Sequence, residues 1–286
     1  MLKIAFDPIY KHQLKIGHRF PMEKYELLPE NLLRKNICNS DNFFSPLPIE
    51  KQLLLSTHDE GYYNNLINLS LSKLDTRKIG FPLSESLIMR EHVIAQGTIQ
   101  NTRYAQQYGV SMNIAGGTHH AFRDRPGAFC MLNDQAIASN YLIDNNLAKR
   151  VMIVDLDVHQ GDGTASIFEH QDSVFTISFH GQKNYPFKKQ NSDFDLPFDD
   201  NTEDRAYLNA LENHLPRLVD LVEPDFMFYL AGVDVLKTDK LGRLGLSMAG
   251  CKARDRFVLS LCKDKNIPVQ VSMGGGYSVH LKNIID

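Results

Sequence analysis

The sequence predicts an α/β fold in which helices cover both faces of a central, mostly parallel sheet. Short apolar runs alternate along the chain with longer segments of helical periodicity, which is the pattern of α/β domains. The clearest run, residues 151–155, is apolar up to its last residue, as expected for a strand covered on both faces. A chain of 286 residues with 43% hydrophobic content can bury a full core. It contains no internal repeat or linker, so residues 1–286 are expected to form a single domain.

The pattern predicts six strands and four helices. The predicted strands lie near residues 2–6, 111–115, 151–155, 174–179, 226–231 and 269–273. The predicted helices cover residues 89–108, 134–145, 202–221 and 248–265. Pro224 disfavours helical backbone at the residue before it, so the third helix is expected to end before the next strand. Residues 191–193 are predicted to form a loop.

Residues 151–163 carry the most informative pattern in the chain. The predicted strand runs directly into Asp155, Asp157, His159 and Asp162. Side chains alternate along a strand, so the first three start on one side of the chain, at the strand end where parallel sheets hold ligands. An acidic, helix-capping turn is the simpler alternative, but several buried carboxylates are costly unless a cation neutralises them. We therefore predict a divalent metal such as zinc, bound by carboxylate and imidazole groups.

Three further segments become informative beside this one. A glycine pair precedes His119 and His120, whose imidazoles could divide general-acid and general-base roles. A second buried-strand pattern ends at Asp234, and three consecutive glycines, which allow close backbone approach to a buried centre, precede Tyr277. Taken singly, each segment has a simpler interpretation: polar surface or core residues, a helix-capping aspartate and a turn.

Together the four segments resemble the histone deacetylase family of the arginase/deacetylase superfamily, along essentially the whole chain. The resemblance implies the arginase/deacetylase-type fold and one catalytic Zn²⁺ bound by Asp157, His159 and Asp234. It also implies that His119 and His120 are catalytic, with Asp155 hydrogen-bonded to His119 and Asp162 to His120. Tyr277 would polarise the carbonyl of the substrate. A structural K⁺ is implied beside the zinc, at Asp155, Asp157, His159, Ser178 and Phe179.

The resemblance further predicts a tunnel that receives the acylated lysine side chain. Its candidate lining residues are Phe129, Tyr185, Gly275, Gly276 and, at the rim, His18. Phe129 would form one wall, and for the opposite wall we favour Tyr185 over Phe187 in the loop that follows residue 180.

Residues 17–25 are closest to class IV (eleven-type) deacetylases and their bacterial relatives. Within this segment Lys24 stands where the larger classes place an arginine near the pocket behind the metal. Lysine and arginine differ in geometry and in the number of hydrogen-bond donors. We therefore do not assign to Lys24 the role that this arginine has in the release of acetate.

The implied activity is zinc-dependent hydrolysis of the amide between an acyl group, acetyl or a longer fatty acyl, and the ε-amine of a lysine. An acylated polyamine or small amide would use the same catalytic residues, so the motifs leave that alternative open. A two-manganese ureohydrolase of the arginase type would leave the histidine pair and the Gly-Gly-Gly-Tyr segment unexplained. A non-catalytic acyl-lysine binder is disfavoured because a binder needs no general base.

Charge and cysteine content set the remaining expectations. The net charge of −3 argues against general nucleic-acid binding, which requires a basic surface. The four cysteines have neither zinc-finger spacing nor the density of a disulfide scaffold. No apolar run is long enough to span a membrane, and the chain begins with a predicted strand in place of a signal peptide, so we expect a cytoplasmic protein. The chain stops in a predicted helix soon after Tyr277, which suggests that the natural chain extends further.

Overall fold

Eight strands form one parallel sheet in the computed structural model, which describes residues 1–286. In chain order they are β1 Lys3–Ala5, β2 Phe43–Phe44, β3 Val110–Asn113, β4 Val151–Asp155, β5 Val174–Gly181, β6 Phe194–Phe198, β7 Phe226–Leu230 and β8 Val269–Ser272. Their order across the sheet is β2-β1-β3-β8-β7-β4-β5-β6, and every neighbouring pair is parallel. The predicted α/β fold is confirmed, with a sheet that is parallel throughout.

Ten helices accompany the sheet. They are α1 Lys24–Arg34, α2 Lys51–Leu55, α3 Glu60–Ile67, α4 Lys73–Ile79, α5 Glu85–Tyr108, α6 Asp134–Asp144, α7 Asp162–Phe168, α8 Asp204–Val222, α9 Met248–Asp264 and α10 Lys282–Ile285. Two short 3₁₀ turns occupy Pro8–Tyr10 and Ser40–Asn42. None of the helices combines the length and the apolarity that crossing a membrane would require.

Strand β4 shows how the sheet buries side chains on both faces. Val151 and Ile153 belong to a hydrophobic cluster that includes residues of α5 and α6, whereas Met152 and Val154 belong to a second cluster with α8 and α9. A strand between two helical layers needs apolar side chains at every position. This requirement explains the uninterrupted apolar run in the sequence.

The predicted elements are all present, and their bounds differ most at the start of α5. This helix begins at Glu85 instead of residue 89, because the side chain of Ser84 caps it by accepting a hydrogen bond of 3.2 Å from the Leu87 N–H. Helix α8 ends as expected before Pro224. The strands β2 and β6 were not predicted, and both are edge strands of the sheet.

Four adjacent strands in the middle of the sheet, β3, β8, β7 and β4, end along the same edge because they are parallel. Each is followed by one of the four segments that the sequence singles out: the tandem histidines after β3, the three glycines after β8, Asp234 after β7 and the Asp/His cluster after β4. Parallel sheets bind ligands beyond the carboxyl ends of their strands. The topology therefore brings segments far apart in sequence into one site.

Candidate active site and metal centre

Three buried side chains converge beyond the ends of β4 and β7. The His159 Nδ1 atom lies 3.0 Å from Asp157 Oδ1 and 3.1 Å from Asp234 Oδ2. One ligand atom from each of Asp157, His159 and Asp234 can be chosen so that all three atoms lie within 4.8 Å of one another. The structure contains no other group of three His, Cys, Asp or Glu side chains this close together. The three predicted metal ligands are thus brought together.

Backbone amides fix the two carboxylates in this cluster. The N–H of Gly275 donates to Asp157 Oδ2 at 2.8 Å, and the N–H of Val158 donates to Asp234 Oδ1 at 2.9 Å. Each amide occupies the carboxylate oxygen that lies away from His159, so the other oxygen is directed towards its Nδ1 atom. Such bonds fix the orientation of a metal ligand before the metal binds.

The donor set fits a divalent metal ion. Ligands bound at 2.0–2.1 Å around a tetrahedral zinc lie roughly 3.3 Å from one another, close to the separations from His159 Nδ1. Burial and repulsion from the nearby Asp157 carboxylate raise the pKa of Asp234 to about 7, and a bound dication would relieve this repulsion. Two carboxylates and one imidazole also leave a coordination position open for a reactant.

The tandem histidines lie beside the cluster, each paired with its own carboxylate. His119 Nδ1 is 2.7 Å from Asp155 Oδ2, and His120 Nδ1 is 2.6 Å from Asp162 Oδ1. The two rings are 4.0 Å apart between centroids. With both Nδ1 atoms occupied, the Nε2 atoms are the ones free for chemistry, and the Nε2 of His119 lies 4.0 Å from Asp157 Oδ1.

Their surroundings move the two imidazole pKa values in opposite directions. Burial alone would lower the pKa of His119, but the Asp155 and Asp157 carboxylates raise it to about 9. Burial and the adjacent His119 lower the pKa of His120 to about 4, against the opposing effect of Asp162. A dication in the cluster would lower the pKa values of both histidines, because it disfavours a second positive charge nearby.

Tyr277 lies on the other side of the site. Its ring centroid is 6.4 Å from that of His159 and 5.9 Å from that of Phe129, and its backbone N–H donates to Asp239 Oδ2 at 2.6 Å. Burial and the Asp157 and Asp234 carboxylates raise the pKa of its hydroxyl well above the usual value. The hydroxyl therefore stays protonated at neutral pH and can donate a hydrogen bond.

A cleft of about 460 Å³ leads from the surface to His120, His159 and Tyr277. Below it lies an inner cavity of only about 40 Å³. Phe129 lines both spaces, and its φ of +58° is held by a hydrogen bond from its N–H to the Ile79 carbonyl at 3.0 Å.

The structure places the other predicted tunnel residues at different depths. Tyr185 lines the cleft, with its ring centroid 4.8 Å from that of His120, and Phe187 lies further out, where it is 92% exposed. Gly275 lines the inner cavity. His18 and Gly276 line neither space. The His18 Nε2 atom instead bonds to the Gly80 carbonyl at 2.9 Å, so this histidine packs behind the tunnel wall.

Lys24 is fully buried next to the inner cavity. Its Nζ donates to the Gly274 carbonyl at 3.2 Å and lies 4.8 to 5.5 Å from the ring centres of Phe20, Tyr25 and Tyr277. Burial lowers the pKa of this amine to about 8, despite the opposing Asp234 and Asp157 carboxylates. Its one hydrogen bond ties helix α1 to the glycine segment that follows β8.

The histone deacetylase domain model matches residues 18–285, which is nearly the entire chain. The chain belongs to the histone deacetylase family. This membership supports a hydrolase that acts as a deacetylase, in a family that is generally metal-dependent. The match does not distinguish class IV from the other classes, so the class IV assignment stays a prediction.

Relatives and solved structures agree with this family membership. An uncharacterized protein of Picosynechococcus sp. is 39% identical over 282 residues, which cover 99% of this chain and 94% of that protein. Histone deacetylase 2 of Arabidopsis thaliana is 28% identical over 91% of this chain and 70% of its own. A histone deacetylase homologue from Aquifex aeolicus superposes with a TM-score of 0.85 and 25% identity, covering 99% of this chain and 81% of that one. A homologue solved in complex with SAHA gives a TM-score of 0.85 and 26% identity.

Two residues that support the deacetylase site, Asp134 and Arg254, were not recognised from the sequence. Asp134 accepts hydrogen bonds from the Thr118 N–H and hydroxyl, at 2.9 and 2.8 Å, and so holds the turn that carries the tandem histidines. Arg254, fully buried in α9, donates to the carbonyls of Leu156 and Gly232 at 3.0 and 2.7 Å. An acidic residue at the start of a helix and an arginine within a helix are both common. The sequence therefore contains no indication that Asp134 and Arg254 support the site.

Replacing Gly275 with alanine tests how closely the deacetylase backbone approaches its candidate metal ligands. A Cβ atom at this position would overlap the carboxylate oxygens of Asp234 and Asp157. We expect Gly275→Ala to displace both ligands and to lower bound metal and turnover by at least about 100-fold, since even residues that only orient a ligand are worth 10- to 100-fold. Metal content and turnover of the purified variant would be measured.

Gly61→Ala is the matched control, because a Cβ on this α3 glycine would meet no atom within 4 Å. It should keep metal and activity and change the free energy of unfolding by at most about 1 kcal/mol. Full metal content in Gly275→Ala would contradict the close approach of the Gly275 backbone to the Asp157 and Asp234 carboxylates.

Proposed function

We propose that this protein is a zinc-dependent deacylase that hydrolyses the amide between a short acyl group and the ε-amine of a lysine. The observation that carries the proposal is the single buried cluster of Asp157, His159 and Asp234, with two carboxylate-paired histidines and Tyr277 around it. A two-metal centre would need more ligands than this one cluster offers. A binding module would need neither the paired histidines nor the open coordination position.

The cluster would hold the zinc through two carboxylates and one imidazole. The chemistry that zinc supplies when bound is Lewis acidity, which activates water for attack and polarises the amide carbonyl. In ligand type the same donor set also suits ferrous iron, and metal analysis of the isolated protein distinguishes the two.

His120 is the better placed general base of the pair. Its depressed pKa keeps it neutral at neutral pH, and the bond from Nδ1 to Asp162 leaves Nε2 free to take the proton of the attacking water. His119, held by Asp155, would stabilise positive charge as the proton passes to the leaving amine. Since the rings are 4.0 Å apart, the two histidines titrate as a coupled pair. The products are a free lysine amine and a carboxylate.

Tyr277 would donate a hydrogen bond to the carbonyl oxygen as negative charge develops on it. Burial keeps the hydroxyl protonated, and the ring lines both the cleft and the inner cavity, at the level of His120. A preorganised donor of this kind stabilises the transition state more than the ground state.

A structural K⁺ beside the zinc is part of the proposal. Asp155 and Ser178 are register partners on the neighbouring strands β4 and β5, and both side chains are buried. Ser178 Oγ lies 3.0 Å from His180 Nδ1, which orients the hydroxyl. A buried hydroxyl facing the carboxylate-rich end of β4 supports the monovalent-cation site that the family resemblance implies.

The small inner cavity favours a short acyl group. Its 40 Å³ correspond to about three water-sized spheres, each of which takes up roughly 10–15 Å³. The aromatic rings of Phe20, Phe81 and Phe129, which contact one another, line this cavity. An acetyl methyl fits this space, whereas a longer acyl chain would have to displace packed side chains, which typically costs about 1–3 kcal/mol in a close-packed interior.

Paired substrates test the proposed activity. Acetyl-lysine and dodecanoyl-lysine peptides of the same sequence would be given to the zinc-loaded protein, and amine release would be followed by mass spectrometry. We expect kcat/KM to be at least about 100-fold higher for the acetyl peptide, equivalent to about 2.7 kcal/mol. Faster removal of the dodecanoyl group would contradict the short-acyl assignment, and no release from either peptide would contradict the deacylase itself.

A further inference from the structure

The mouth of the cleft is lined by positive charge. Five exposed cationic side chains belong to its lining, and no Asp or Glu does. These five side chains are Arg19, Arg77, Lys78, Lys183 and Arg243. They come from four separate parts of the chain: the segment before α1, the end of α4, the loop after β5 and the loop before α9. The protein as a whole has a net charge of −3, so this concentration is local.

Neighbouring carboxylates neutralise only part of this charge. Lys78 pairs with Asp75 at 3.2 Å, while Lys183 and Arg243 share the single carboxylate of Asp200, at 3.8 and 3.0 Å. Arg19 and Arg77 have no ion-pair partner. The guanidinium of Arg19 lies 5.0 Å from the ring centre of Phe129, directly at the tunnel wall. Five cations therefore face two carboxylates, an excess of three positive charges around one opening.

The position of these charges decides what they can recognise. The reacting amide would lie deep in the cleft, near His120 and His159, whereas the five cations are exposed and lie at its outer end. They face the part of the substrate beyond the lysine side chain. A cleft lined by one sign of charge concentrates ligands of the opposite sign and raises their association rates, by about 10- to 1,000-fold.

We propose that this enzyme acts on acyl-lysine residues in acidic peptide segments, with Asp or Glu side chains near the lysine. The inference rests on the proposed deacylase function and narrows its substrate. The same charges repel a polyamine, whose remaining amines are cationic, and a lysine-rich peptide. Phe187, 92% exposed in the same lining, offers an apolar surface for a residue next to the acylated lysine.

Three acetyl-lysine peptides test the proposal, with two Glu, two Gln or two Lys residues on each side of the lysine. We expect kcat/KM for the zinc-loaded protein to fall in that order, with a difference between the Glu and Lys peptides of about tenfold or more at low ionic strength. The difference should shrink at about 1 M salt, where the Debye length is about 3 Å. Equal values for the three peptides, or faster hydrolysis of acetylspermidine than of the Glu peptide, would overturn the proposal.

Charge-reversed variants test whether the preference for the Glu peptide comes from the cations at the cleft mouth. In Arg77→Glu/Arg243→Glu the preference for the Glu peptide should disappear or reverse. The control Arg217→Glu/Arg256→Glu changes the net charge equally, at exposed arginines of α8 and α9 outside the cleft, and should keep the preference. The proposal is overturned if both double variants change the preference alike.

Affinity separates this inference from the proposed function. Binding of the fluorescent Glu and Lys peptides is measured by anisotropy with the Tyr277→Phe protein, which is expected to turn over slowly. If the protein binds the Glu peptide more tightly but the parent protein hydrolyses neither peptide, the cleft mouth selects acidic peptides and the proposed deacylase activity is wrong. Hydrolysis without any charge preference refutes the charged mouth alone.

Discussion

The Asp234→Asn variant is expected to lose its metal while keeping its fold. The amide has the size of the carboxylate and can still accept the hydrogen bond from the Val158 N–H, but it removes one of the two negative charges at the metal centre. Residues that only orient a ligand contribute 10- to 100-fold, so loss of a ligand should reduce turnover by more than about 100-fold. Metal content and turnover of the purified variant give the result.

Thermal unfolding adds a readout that does not depend on activity. A metal that binds only the folded state stabilises it by RT ln(1 + [M]/Kd), so added zinc should raise the Tm of the parent protein and leave that of Asp234→Asn nearly unchanged. Asp204→Asn is the control, because this carboxylate bonds to Ser247 at the start of α9, away from the metal centre. The assignment of Asp234 fails if its variant binds zinc as well as the control does.

The Tyr277→Phe variant is expected to keep its metal and its Tm but to lose about 100- to 1,000-fold in kcat, the usual effect of removing one donor to a developing oxyanion. The hydroxyl forms no hydrogen bond within the protein, so its removal leaves no buried partner unsatisfied. Steady-state kinetics on an acetyl-lysine peptide and a metal analysis check both expectations.

Tyr141→Phe provides the matched control for Tyr277. Its hydroxyl accepts a bond from Arg103 at 2.7 Å, and it lines neither the cleft nor the inner cavity, so its removal should leave kcat unchanged. Unchanged turnover in Tyr277→Phe would show that this hydroxyl does not stabilise the transition state.

The central strands could be predicted because both of their faces are buried. Strand β4 is apolar along almost its whole length, and its predicted bounds, 151–155, agree with the structure. Strand β6 lies at an edge, is only half-buried and contains Pro197, so its pattern is weak. Strand β2 has only two residues, Phe43 and Phe44, too few for any periodicity.

The candidate site was predictable where its residues follow strand ends in short motifs. Asp157 and His159 follow a strong strand pattern, whereas Asp234 was assigned as a ligand only through the family resemblance. The structure places Asp234 beside them because strands β4 and β7 are direct neighbours. Support from distant parts of the chain was not predictable. The bond between Lys24 and Gly274 spans 250 positions, and sequence spacing contains no information about such a contact.

The positive charge at the cleft mouth could not be predicted from the sequence either. A net charge of −3 correctly describes the chain but not the opening of its cleft, because Arg19, Arg77 and Arg243 meet there only through folding. His18 illustrates the converse, since its place in the motif predicted a tunnel residue while its hydrogen bond to Gly80 holds it behind the wall.

Acetate release during a zinc titration of metal-free protein tests the central claim most directly. An acetyl-lysine peptide would be the substrate, and the parent protein and Asp234→Asn would be compared in parallel. We predict that the rate for the parent protein rises from near zero to a plateau at one zinc per chain, and that the rate for the variant stays near zero. Full activity without metal, or the same plateau for both proteins, would contradict a hydrolytic zinc centre at Asp157, His159 and Asp234.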